Sequence, residues 1–175
     1  VVIKVTPAVN SSQTIKQIVN LYTIDAENFI AQAIKIKHIF NAYKCRAAVV
    51  DGNGVGAGLI DLLVVDSTDP ETGEVLYGWG VINDEDRKYK NTITENTIHD
   101  ALYIMKANQV LNSEMYAYCK TQLTNGRLRF LIDERTAKEK LLAQAQGQKM
   151  SAVKRAQYLK PYVQTNILKD QMLNL

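Results

Sequence analysis

The chain has 175 residues, 46% of them hydrophobic and 22% charged, with a formal net charge of +3 at pH 7. That length supports one sizeable core and the mild positive charge permits a polyanionic partner, while no apolar run approaches the roughly 20 residues of a bilayer-spanning helix. Cys45 and Cys119 are the only cysteines; without C-x-x-C spacing they argue against a zinc site or a disulfide framework, and a reducing, intracellular setting fits.

Val1 to Val5 (VVIKV) and Lys16 to Ile24 (KQIVNLYTI) are rich in β-branched and aromatic residues. The polar stretch Asn10-Ser11-Ser12-Gln13 separates them, so they read as the two antiparallel strands of a hairpin. A helix is expected over Ala26 to Ala42 with Asp25 as its N-cap. Phe29, Ala33, Ile36 and Phe40, flanked by Ile30 and Ile34, recur at helical spacing and give a face that lies on a sheet. Arg46 to Val50 (RAAVV) has the continuous apolar pattern of a strand covered on both faces, surfacing at Asp51. A helix from Val55 to about Val65 follows. Strand, strand, helix, strand, helix is the order of an α/β domain whose sheet mixes parallel and antiparallel neighbours.

From Asp66 the sequence DSTDPETG reads as a loop, Val75 to Ile82 as an edge strand, Asn83 to Asn96 as a second long loop and Ala101 to Lys106 as a strand. Gln109 to Leu123 reads as a helix ended by Asn125-Gly126, and Arg127 to Ile132 as a strand. Beyond Asp133 the chain reads as helical to its end, broken near Gly147 and at Pro161. There is no internal repeat. A single domain over residues 1–175 is expected. Opening at Val1 inside an apolar run, the chain reads as a piece of a longer polypeptide, with a first strand upstream and a C-terminal helix downstream.

The stretch AAVVDGNGVGAGLIDLL, Ala47 to Leu63, carries the densest chemistry. Gly52 to Ala57 matches G-x-G-x-x-A, the form in which a pyrophosphate rests on a helix N-terminus. Two features oppose that dinucleotide-binding, oxidoreductase reading. The acidic ribose ligand due about 20 residues further on falls in the loop holding Glu71 and Glu74, and Asp51, directly before the glycines, would repel a pyrophosphate. Asp51 can instead be a ligand for a hard cation such as Mg²⁺, displayed at a strand end where glycines let a phosphodiester approach. It can equally cap the helix starting near Val55. Spacing leaves both open.

The other polar clusters have plainer readings. Asp61 is a surface helix carboxylate. Asp84-Glu85-Asp86 is a solvated loop, since Arg87, Lys88 and Lys90 follow at once, and Asp66 to Glu74 lacks the ligand alternation of a calcium loop. Asp133-Glu134 offers a second ligand pair, or begins a helix whose dipole favours negative charge. His38 and His99 have no nucleophile in a recognisable turn; neither G-x-S-x-G nor a phosphate-binding G-x-x-x-x-G-K-[ST] occurs. Between Glu134 and Lys160 seven basic residues face only Glu134 and Glu139, a tract that either holds phosphates or is an ordinary solvated face.

The stretch AAVVDGNGVGAGLIDLL, followed by NSEMYAYCKTQLTNGRLRFLIDERTAKEKLL, resembles the C-terminal nuclease domain of bacteriophage terminase large subunits, which package DNA and cut it. The resemblance covers nearly the whole chain and is most specific at Val49-Val50-Asp51 with Gly54, Gly56 and Gly58. It implies a ribonuclease-H-like mixed sheet flanked by helices. It further implies cleavage of double-stranded DNA concatemers by an endonuclease using two divalent metals, Mg²⁺ or Mn²⁺, about 4 Å apart. Asp51 matches the family's carboxylate at the end of the strand after the first long helix, and is the one catalytic and metal-binding residue carried over. The family's other carboxylates are expected upstream of Val1 and beyond Leu175. The resemblance also implies a portal protein and a small terminase subunit as partners, a homo-oligomeric motor, no membrane association, and action in the host cytoplasm at the procapsid. A non-catalytic assembly domain of the same fold is the alternative within that architecture.

Overall fold

The computed structural model describes residues 1–9, 12–24, 28–54 and 56–173. Its strands and helices begin with β1 (Val2–Pro7), β2 (Thr14–Asn20), α1 (Phe29–Ala42), β3 (Ala48–Asp51) and α2 (Gly56–Leu63). Four strands follow, β4 (Ser67–Thr68), β5 (Val75–Leu76), β6 (Trp79–Val81) and β7 (Ile98–Met105), with a 3₁₀ turn at Lys90–Thr92 before β7. The chain continues through α3 (Gln109–Thr124), β8 (Leu128–Arg129), α4 (Glu134–Leu142), α5 (Ala145–Gln148) and α6 (Ala152–Leu173). This is a mixed α/β architecture with small sheets, as the order of elements predicts, and no helix among the described residues is long and apolar enough to cross a membrane. Two compact units divide the chain: Val1–Thr23 with Ser113–Leu175, and Ile24–Asn112.

In the first unit β1 and β2 form the expected antiparallel hairpin, in register from Val2 opposite Asn20 to Pro7 opposite Thr14 with one irregularity at Val2/Ile3. The Ala8 amide closes its turn on the Gln13 carbonyl at 2.8 Å. β8 adds in parallel to the other edge of β2, Lys16 opposite Leu128. It has two residues rather than the six expected over Arg127 to Ile132. α3 ends as its sequence foretells, Gly126 taking the left-handed φ of +66° that suits glycine after a helix C-terminus. Asp133 caps α4, its Oδ1 accepting from the Thr136 amide at 2.9 Å and its Oδ2 from the Thr136 hydroxyl at 2.7 Å. Thr136 thereby holds the Asp133 carboxyl below the usual range. The helical run does break near Gly147, between α4 and α5, and the close return of the chain requires glycine at 147, where a Cβ would stand 1.9 Å from the Leu141 carbonyl oxygen. Pro161 breaks nothing. α6 runs through it, losing one i→i−4 bond, and the buried Thr165 hydroxyl donates to the Pro161 carbonyl at 2.8 Å.

In the second unit β3, β7 and β6 form a parallel sheet in that order. α1 packs against α2, and the core gathers Ala33 and Phe40 of α1, Ile60 and Leu63 of α2, Val64, Trp79, Ala101 and Leu102. The Phe40 and Trp79 rings lie 4.5 Å apart at 40°. Ala48 and Val50 pack against this core, whereas Val49 is 65% exposed. β3 is therefore covered on one face and alternates, contrary to the two-sided burial that RAAVV suggests. α1 starts at Phe29, with the Asn28 side chain accepting from the Ala31 amide at 2.8 Å; the expected cap, Asp25, lies outside the described residues, as does Val55.

The single strand expected over Val75 to Ile82 is two strands. β5 pairs antiparallel with β4, and β6 pairs parallel with β7. Gly78 divides them: a Cβ there would stand 2.4 Å from the Val64 carbonyl oxygen, and its amide donates to Asp66 Oδ1 at 2.7 Å. Lys37 of α1, only 1% exposed, fastens this region. Its ammonium donates to the Val65 carbonyl at 2.5 Å, the Ser67 hydroxyl at 3.1 Å and the Leu76 carbonyl at 3.4 Å. Burial lowers its pKa to about 8, opposed by the charge of Asp66.

Candidate functional site

β3 delivers Asp51 to solvent at its carboxyl end, where the last register pair is Asp51 opposite Met105 of β7. The chain then turns sharply. Gly52 donates its amide to the Met105 carbonyl at 2.8 Å, and the Asn53 amide donates to Asp51 Oδ1 at 3.0 Å. The Asn53 side chain reaches across to the Ala107 carbonyl at 2.8 Å, tying the ends of β3 and β7 together. Asp51 thus closes an Asx turn with one carboxylate oxygen. This bond goes to the turn leading to α2 and not to an amide of the helix, so the described residues show an Asx turn and no cap on α2 by Asp51.

The glycines of the stretch answer to different neighbours. A Cβ on Gly56 would stand 1.9 Å from the Asp51 carbonyl oxygen, one on Gly52 2.7 Å from the Ile104 side chain, and one on Gly58 3.2 Å from the Phe29 ring. These three are demanded by the protein's own packing, so they do not by themselves signal an approaching phosphodiester. Gly54 differs: it has φ +56° and nothing within 4 Å of its Cβ position, so the turn is open there.

β3 is the outermost strand of its sheet, with β7 as its one strand neighbour among the described residues. The other acidic candidates are engaged elsewhere. Asp61, exposed on α2, lies 3.5 Å from the Lys88 ammonium. Asp84 accepts from the Lys88 and Tyr89 amides, each at 2.9 Å, and so caps a turn. Asp133 caps α4 in the first unit. Among the described residues no group of three or more His, Cys, Asp or Glu side chains is placed to hold a metal ion.

Asp66 to Glu74 forms the β4–β5 hairpin, closed by the Asp69 amide on the Glu74 carbonyl at 2.9 Å. Its acidic residues meet a histidine that the sequence left without a partner. His38 Nε2 lies 2.7 Å from Asp69 Oδ2, and Nδ1 lies 3.7 Å from Glu74 Oε2. The Glu71 amide first, then His38, hold the Asp69 carboxyl below its usual range. This hairpin also places the acidic residues that the dinucleotide reading needs outside the parallel sheet of β3. The strand following α2 pairs antiparallel with β5 instead of lying beside β3, so Glu71 and Glu74 sit on a hairpin turn and not at the end of a neighbouring parallel strand.

The basic tract lies along α4 to α6, where Lys138, Lys140, Lys149, Lys154 and Lys160 are exposed, and Arg135 pairs with Glu139 at 3.1 Å. Comparison with known proteins finds no match to this chain among family models, curated proteins or solved structures.

Proposed function

We propose that the chain is the nuclease domain of a DNA-packaging terminase, of ribonuclease-H-like fold, and that Asp51 is one ligand of a metal-dependent endonuclease acting on double-stranded DNA. The observation that carries the reading is the placement of Asp51: an exposed carboxylate at the carboxyl end of a parallel strand, beside an open glycine turn, on the outermost strand of its sheet. A further strand added to that edge would set its own side chains next to Asp51.

One carboxylate does not make a site for Mg²⁺ or Mn²⁺, which take several oxygen ligands. With one oxygen already bonded to Asn53 and no acidic cluster around it, the described residues do not by themselves fit a metal centre. The reading therefore requires partner carboxylates from outside the described residues, and no catalytic step is assigned to the residues in hand. What they do supply is position: the Asn53 amide fixes the Asp51 carboxylate, and the Asn53 side chain locks the turn to β7. Portal protein, small terminase subunit and a homo-oligomeric motor in the host cytoplasm are the partners and setting this proposal brings with it.

The test is cleavage of a supercoiled plasmid by a polypeptide that includes the flanking sequence, with Mg²⁺ or Mn²⁺ present. Asp51→Asn should lose cutting while keeping its fold. Cutting at the native rate rejects the nuclease assignment for this residue, and an extended native polypeptide that neither binds the metals nor cuts favours the assembly-domain alternative.

A further inference from the structure

The first unit contains a pocket of about 320 Å³ between the start of β2, α3 and the turn after α3, bordered by Ser12, Thr14, Lys16, Tyr118, Gln122 and Arg127. Two of these residues are cationic and no acidic residue lines it. The Lys16 ammonium donates to Thr14 Oγ1 at 3.1 Å and to Gln122 Oε1 at 3.2 Å, and it stands 5.6 Å from the centre of the Tyr118 ring. Both acceptors are neutral, so its charge is positioned without being neutralised, and one of its three donor protons has no acceptor among the described residues. Arg127 is brought alongside by the backbone. Its amide donates to the Gln122 carbonyl at 2.8 Å, and its carbonyl accepts from the Lys16 amide at 2.7 Å. Neither cation forms an ion pair among the described residues.

A half-buried lysine and an arginine that line one pocket without a carboxylate, among hydroxyl and amide groups, form a receptor for an oxyanion. Hydrogen bonds between charged groups are about twice as strong as neutral ones, and the arginine fork suits a tetrahedral oxyanion's paired oxygens. Gln122, buried and with its oxygen committed to Lys16, presents its NH₂ group as a further donor. We propose that this pocket binds a phosphate group. The site stands on its own residues and does not depend on the role of Asp51. Two sources share that chemistry, a phosphodiester of a nucleic-acid backbone and a small phosphorylated ligand.

The experiment titrates inorganic phosphate into the 175-residue chain and follows the amide resonances of Thr14, Lys16, Gln122 and Arg127. Those signals should shift together, and Arg127→Met and Lys16→Met should each weaken binding by roughly 10-fold, the order expected from losing one charged hydrogen bond. Arg127→Met leaves the Lys16 bonds in place and is decisive if Lys16→Met loses its fold. A short DNA duplex that displaces phosphate, and binds both variants more weakly, identifies the phosphodiester source. A duplex that leaves the phosphate-bound signals unmoved identifies a small phosphorylated ligand. Absence of any shift with phosphate, or shifts undiminished in Arg127→Met, overturns the proposal.

Discussion

Gly56 sits so close to the carbonyl of Asp51 that a single added methyl group would come within 1.9 Å of that oxygen. The backbone of α2's first turn and the end of β3 are therefore packed against each other with no room for any side chain, and the contact fixes the backbone from which the Asp51 side chain projects.

Gly56→Ala should accordingly destabilise the second unit by about 3 kcal/mol, since backbone must move to accept the methyl. Gly58→Ala meets only the Phe29 ring at 3.2 Å, a side chain that can turn, and alanine is the better helix former by about 1 kcal/mol. Its effect should be smaller than that of Gly56→Ala. Urea denaturation of the two variants beside the native chain checks the order.

Phe40 and Trp79 stack in the core of the same unit, and Trp79 is the chain's one tryptophan. Phe40→Ala should cost about 4 kcal/mol through lost burial and the cavity left behind. Trp79 emission reports the result directly: the unfolding midpoint should fall to lower urea for the variant. An unchanged midpoint would mean that the ring contact contributes nothing.

Lys37 gives a pH signature. Its folded pKa, about 8, lies below the ordinary 10.5, so between those values the unfolded chain holds more of this proton than the folded one. Stability from this group therefore rises with pH across that window, by about 3 kcal/mol in all, and is flat below and above it. Lys37→Met should remove that slope. It should also lower stability at pH 10.5, because the Val65 and Leu76 carbonyls and the Ser67 hydroxyl lose a buried partner. Denaturation at several pH values, native against variant, reads both effects.

Much of the local structure was legible in the residues. The hairpin, α1, the β3-to-α2 turn, the Gly126 stop and the Asp133 cap follow from patterns that need only near neighbours. What was not legible depends on distant ones. Gly78 splits Val75 to Ile82 because Val64, far back in sequence, presses on it. Val49 faces solvent because the helices cover only the other side of β3. Lys37 did carry a signal, lying on the stripe of Ala33 and Phe40 at helical spacing, yet the carbonyls that receive its ammonium come from Val65 and Leu76. At the candidate site, sequence located Asp51 at a strand end; the Asn53 bonds and the crowding at Gly52 and Gly56 emerge only in three dimensions.

The central claim is that Asp51 shares divalent cations with carboxylates from outside the described residues. Mn²⁺ titrated by calorimetry into the polypeptide with its flanking sequence, native and Asp51→Asn side by side, tests it most directly. The account predicts that the substitution weakens Mn²⁺ binding by at least about 10-fold with the fold intact, since even outer-shell partners of a metal cost that much when lost. Equal affinity and stoichiometry in the two proteins would contradict it.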